Sequence, residues 1–92
     1  MRKKVIRRSS EGKTLIVEVE VEGGEIKEVH LSGDFFAFPP ELFDEMESSL
    51  RGLKADVHEL RRALEPYERK VQLVGITLGD VREALAEALA ET

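Results

Sequence analysis

Hydrophobic and polar positions change their spacing halfway along the chain. In the first half the period is two. Leu15, Val17, Val19 and Val21 alternate with Ile16, Glu18, Glu20 and Glu22, the signature of a strand buried on one face. Lys3–Ser9 reads as a shorter strand before it, and Ser10-Glu11-Gly12 as the turn between them. Gly23-Gly24 is a two-residue hairpin signal, because glycine accepts the positive φ that primed turns require. The strands are therefore expected over 3–9, 13–22 and 25–32. A strict ladder from that hairpin pairs Val21 with Ile26 but then sets Val19 against Glu28 and Val17 against His30, which buries the wrong residues. One extra residue near Lys27-Glu28 returns Val29 and Leu31 to the core face, so a β-bulge is expected there.

In the second half the period lengthens to that of a helix. Pro39-Pro40 opens it, since proline is tolerated in a first turn, and Glu41 follows where an acid favours the helix dipole. Leu42, Phe43, Met46 and Leu50 share a face, and Gly52 ends the element. Asp56 with Glu59 reads as a capping box. The stripe Val57, Leu60, Leu64, Tyr67 and Val71 follows, and Pro66 interrupts it. Val71–Ile76 is an apolar connector. Thr77 and Asp80 suggest a second capping box, with Val81, Ala84, Leu85, Ala88 and Leu89 as the buried stripe behind it. Helices are expected over 40–51, 56–70 with a break near 66, and 78–90. The fold class is α+β: a three-stranded antiparallel sheet from the N-terminal half packed with about three helices from the C-terminal half, in one domain spanning 1–92.

Composition narrows the function. At 92 residues and 41% hydrophobic content the chain is one globular domain. It has no cysteine, which removes disulfides, thiolate nucleophiles and cysteine metal sites. No secretion signal and no membrane-length apolar run is present, so a cytoplasmic location is expected. The net charge is −5, yet residues 1–8 carry Arg2, Lys3, Lys4, Arg7 and Arg8 with no acid. That strip reads either as an edge strand guarded by charge against pairing with other chains or as a surface for an anionic partner. An acidic domain with one short basic strand is a poor match to the overall basic face of nucleic-acid binders.

The catalytic motifs are missing. His30 and His58 have no His, Cys or Asp partner at ligand spacing. No serine sits in a nucleophile elbow, and there is no phosphate-cradling glycine loop or dinucleotide fingerprint. The segment that stands out is Gly33-Asp34-Phe35-Phe36-Ala37-Phe38-Pro39-Pro40. It puts three of the chain's four phenylalanines into a strand-to-helix connection. Burying a phenyl ring is worth about 2 kcal/mol, so leaving all three in water without a return is implausible. One or two are expected to close the end of the sheet and the others to meet a partner. Gly33 is expected to permit a turn that a side chain would block, and Asp34 to bond backbone amides within it.

Gly33-Asp34-Phe35-Phe36, followed by proline and an acidic amphipathic helix, resembles the C-terminal accessory domain of lipoate–protein ligases. The resemblance runs along almost the whole chain. Gly12-Lys13 looks like the family's opening, Val19–Val29 is similar to its central hairpin, and Gly75-Ile76-Thr77 with Asp80 looks like its last helix entry. Gly79 departs from the pattern, where a better helix former is usual. The resemblance implies a fold like that of iron–sulphur scaffold and sulphur-acceptor proteins, without their cysteine chemistry. It also implies an accessory part, fused behind a catalytic domain in many bacterial enzymes and a separate chain in archaeal-type bipartite ones. The chain's start at Met1 and its finish after a helix suggest the separate form. Its role would be to support the activation of lipoate by ATP to lipoyl-adenylate, with ATP, Mg and lipoate bound in the complex and none by this chain alone. Expected partners are the catalytic subunit and, indirectly, the lipoyl-acceptor protein. Phe35, Phe36 and Phe38 are then the expected partner contacts, and Gly33 and Asp34 shape the turn. Lys13 is a candidate to face substrate or partner, though a solvated turn lysine is an equal reading. The rival is a generic protein- or nucleic-acid-interaction domain using the basic N-terminal strand.

Overall fold

The computed structural model describes residues 1–90. Three strands, β1 (Arg2–Arg8), β2 (Thr14–Glu22) and β3 (Glu25–Gly33), form an antiparallel meander in the order β1-β2-β3. Leu15, Val17, Val19 and Val21 all point to one buried face, as period two demands, together with Val5 on β1 and Ile26, Val29 and Leu31 on β3. The ladder pairs Val21 with Ile26 and Glu20 with Glu28, then Val19 with Val29, so Lys27 is the extra residue. The bulge thus lies at Lys27, and it is what keeps Val29 and Leu31 in the core.

Three helices cover this face: α1 (Pro40–Ser49), α2 (Val57–Leu64) and α3 (Leu78–Ala90). Phe43 and Met46 of α1, Leu60 and Leu64 of α2, and the α3 stripe Val81, Ala84, Leu85, Ala88 and Leu89 complete one core with Leu50, Tyr67 and Ile76. The helix starts follow from their caps. The Asp56 carboxylate accepts from the His58 amide at 3.0 Å. Thr77 and Asp80 bond reciprocally, the Asp80 amide to Thr77 Oγ1 at 3.0 Å and the Thr77 amide to Asp80 Oδ2 at 2.9 Å.

The structure differs from the sequence reading in several places. The Asp56–Glu59 box is only half formed, because the Asp56 amide donates to Lys54 O at 2.8 Å and not to Glu59. The helix expected over 56–70 does not resume after Pro66. It ends at Leu64 and passes into a single 3₁₀ turn, Glu65–Tyr67, because proline supplies no amide to the helix and its ring crowds the preceding turn. Val57 is exposed rather than part of the buried stripe, since it is the first residue of α2 and precedes the turn that reaches the core. Most relevant to function, the two apolar connectors are strands. β4 (Phe36–Phe38) and β5 (Gln72–Val74) pair antiparallel in a separate two-stranded ribbon.

The two edges of the main sheet are handled differently. On the β3 side, the Ile26 amide donates to Leu53 O at 2.8 Å and Ile26 O accepts from the Gly52 amide at 2.7 Å. The Leu31 amide donates to the Glu47 carboxylate at 2.8 Å. That edge is covered, whereas β1 guards its own with arginine and lysine. Deleting Lys27 should give a regular ladder and cost under about 1 kcal/mol of stability. Deleting His30 instead turns Leu31 outward and should cost more than about 2 kcal/mol. Urea denaturation of the two variants measures the difference.

Candidate functional site

Three segments distant in sequence meet at one end of the sheet: the β1–β2 turn, the exit of β3, and the loop between β5 and α3. The β1–β2 turn is built around Ser9, which is buried. Its amide donates to Lys13 O at 2.7 Å, and its carbonyl accepts from the Gly12 amide at 3.0 Å. Its hydroxyl accepts from the amides of Glu11 and Lys13, both at 3.2 Å, and donates to Gly75 O at 2.7 Å. One small side chain thus sets the turn and ties it to the far loop.

The exit of β3 explains its glycine and its acid. Gly33 has φ +149°, and a Cβ there would lie 2.1 Å from the carbonyl oxygen of Thr14. No side chain fits between the strands at this point, and the backbone conformation itself disfavours one. The Asp34 carboxylate accepts not from amides of its own turn, as expected, but from the Thr14 amide across on β2, at 2.7 Å. The turn expected at Gly33-Asp34 is therefore a clamp between the end of β3 and the start of β2.

This clamp decides which phenylalanines face water. Phe35 is half-buried, its ring edge-on to Phe43 at 5.7 Å between centroids. From there the side chains alternate, as in any strand. Phe36 is 63% exposed, Ala37 turns inward, and Phe38 is 52% exposed. Of the three expected contacts, the structure presents Phe36 and Phe38 and withdraws Phe35 into the end of the core. The Phe36 and Phe38 rings stack with centroids 6.5 Å apart and planes 18° from parallel. Val74, opposite Phe36 on β5, is 47% exposed, so the ribbon carries an apolar outer face of Phe36, Phe38 and Val74. The sequence showed the aromatic cluster but not β5, whose contribution of Val74 could have been suspected only from the apolar run Val71–Ile76.

Charges border this face. At the Phe38 end an open depression is lined by Phe38, Pro39 and Pro40 and by Glu68, Arg69, Lys70 and Gln72. Lys70 Nζ lies 5.7 Å from the centre of the Tyr67 ring. The Tyr67 hydroxyl donates to the Glu45 carboxylate at 2.8 Å. That bond first, and burial second, raise the phenol above its usual pKa, so at neutral pH it is a fixed donor and not a proton carrier. At the other end stands Lys13, exposed, with its stem against Gly75.

The basic strand is partly neutralised within the molecule. Arg2 pairs with Glu20 at 2.7 Å. Arg7 pairs with Glu83 at 2.6 Å and Glu87 at 3.5 Å. These internal pairs weaken the reading of β1 as an anion-binding surface. His30 and His58 are exposed on the outer sheet face and on α2. Among the described residues no three His, Cys, Asp or Glu side chains gather as a metal site, and no helix is long and apolar enough to cross a membrane.

Comparison with known proteins covers most of the chain. Residues 5–85 match the family model described as bacterial lipoate protein ligase C-terminus. Lipoate-protein ligase A subunit 2 of Thermoplasma acidophilum is 33% identical over 70 residues, covering 75% of this chain and 72% of that protein. A chain in the solved structure of an archaeal lipoylation system, a bi-partite lipoate protein ligase and its E2 lipoyl domain from Thermoplasma acidophilum, superposes with a TM-score of 0.75 at 26% identity. That superposition spans 92% of this chain and 97% of the other.

Gly33→Ala should destabilise the domain by at least about 2 kcal/mol, from the clash with Thr14 and the strained φ together. Asp34→Ala should cost about 1 kcal/mol, for the loss of an exposed charge-assisted bond. Thermal denaturation checks both.

Proposed function

Because the chain belongs to the bacterial lipoate protein ligase C-terminus family, we propose that it is the accessory subunit of a bipartite lipoate–protein ligase, required with a separate catalytic subunit for the ATP-dependent activation of lipoate to lipoyl-adenylate. The observation that carries the reading is the exposed face of Phe36, Phe38 and Val74 on a hydrogen-bonded ribbon. Each ring removed from water contributes about 2 kcal/mol. Both rings are already held by the Gly33-Asp34 clamp and by pairing with β5, so little entropy is lost when a partner covers them. Such an aromatic cluster is the usual centre of a protein–protein hot spot.

In this reading the chain supplies no nucleophile, general acid or general base. ATP, Mg²⁺ and lipoate are held by the catalytic subunit, and the lipoyl-acceptor protein meets this chain only through it. Adenylation needs the lipoate carboxylate held in line with the α-phosphate and water excluded, and most of the rate comes from positioning and electrostatics. An accessory subunit docked beside that site contributes by closing and stiffening it. A reaction that consumes ATP fits a cytoplasmic location.

Lipoate-dependent ATP–pyrophosphate exchange tests the reading. The catalytic subunit alone should exchange slowly, and addition of this chain should raise the rate. Exchange indifferent to the chain contradicts the proposal. The double variant Phe36→Ser, Phe38→Ser should weaken binding to the catalytic subunit at least about tenfold while changing stability by under about 0.5 kcal/mol. Phe35→Ala should do the reverse, losing about 1–3 kcal/mol of stability through its packing on Phe43.

A further inference from the structure

Lys13 is held more firmly than a solvated turn lysine needs to be. Its amide is bonded to the Ser9 hydroxyl at 3.2 Å and its carbonyl to the Ser9 amide at 2.7 Å. Its stem lies in a space that exists only because residue 75 is glycine. A Cβ at Gly75 would come within 2.6 Å of Lys13 Cγ and 3.3 Å of Lys13 Cβ, and it would also touch Phe35 Cβ at 3.6 Å. Gly75 sits at φ +98°, so it is required on conformational grounds as well. Its carbonyl is fixed by the same Ser9 hydroxyl, at 2.7 Å. Backbone and stem of Lys13 are thus positioned from two segments, its own turn and the Gly75 loop. The side chain is nevertheless exposed, and no carboxylate pairs with it among the described residues, in a chain of net charge −5. Its location adds the rest. Gly75 follows Val74, which pairs with Phe36, so the base of the Lys13 side chain stands at the border of the apolar docking face.

From this we infer that Lys13 is carried by the docked subunit to the nucleotide bound on the catalytic partner, where its ammonium contacts a phosphate oxygen. The inference rests on the accessory-subunit reading. A pairing with a carboxylate on the partner's rim gains little from a rigid base, because exposed ion pairs are weak and tolerate flexible side chains. Stabilising charge that develops during reaction does require a preorganised cation, placed before the reaction begins and sheltered from water. Lys13 approaches that description: the base of its side chain, Cβ and Cγ, packs over Gly75, and the apolar face beside it excludes solvent once covered. Lys13 is a substrate-contacting residue in this scheme. Gly75 and Ser9 are positioning residues.

The experiment uses the assembled complex of this chain with the catalytic subunit of the same organism, with each variant at saturating concentration. Lys13→Met keeps the stem against Gly75 and removes only the charge. It should lower kcat/KM for ATP in lipoate-dependent exchange at least about tenfold, leave the Kd for the catalytic subunit within about threefold, and leave the melting temperature unchanged. Lys13→Arg should restore part of the loss. Unchanged ATP kinetics in Lys13→Met overturn the inference and leave the accessory reading intact. A weakened Kd with normal ATP kinetics at saturation also overturns it, in favour of a rim carboxylate. Failure of the wild-type chain to stimulate exchange overturns both.

Discussion

The close approach of Gly33 to the carbonyl of Thr14, locked by the Asp34–Thr14 bond, is the constraint on which the rest of this end of the molecule depends. It fixes where β3 stops and the angle at which the chain leaves the sheet. Phe35 is then driven inward onto Phe43, and strand alternation turns Phe36 and Phe38 outward. Without the clamp the same sequence would have several ways to bury its aromatic residues. A loop free to choose would hide all of them, because each ring is worth about 2 kcal/mol out of water. The clamp removes that choice and holds two rings in solvent.

The same economy operates at Ser9 and Gly75. One buried hydroxyl serves the β1–β2 turn and the loop before α3, and one absent side chain leaves room for the stem of Lys13. The main sheet, its bulge at Lys27 and the helix caps form a base that supports this end without contributing to it chemically. Stability and function are therefore separable in this fold. Substitutions in the core report on folding, whereas Phe36, Phe38 and Lys13 stand outside it and can be changed at small structural cost.

Much of the base was legible in the chain. The bulge followed from register, because a strict ladder would have buried Glu28 and His30. The α1 and α3 stripes, Leu60 and Leu64 of α2, and the Thr77–Asp80 box followed from spacing, whereas Val57 and the helix beyond Pro66 did not. The ribbon was not legible. β4 and β5 have three residues each, too few for period two to separate a strand from a connector, and their pairing joins segments far apart in sequence. Phe35 could not be told from Phe36 without knowing where the inward residue of the alternation falls, and only the clamp decides that. The packing of Lys13 on Gly75 leaves no local trace at all: each residue alone looks like an ordinary turn element. The family resemblance brought the Gly12-Lys13, Gly33–Phe36 and Gly75–Thr77 motifs into view, and the fold shows why they belong together, since all three converge on one end of the sheet.

The central claim is that this end, and not the basic strand, meets the catalytic subunit. Amide hydrogen exchange of the chain with and without that subunit tests it directly. The account predicts new protection confined to residues 34–39, 72–75 and the 9–13 turn, with β1 and the outer face of β3 unchanged. Protection centred on residues 2–8, with the ribbon still exchanging freely, would contradict it.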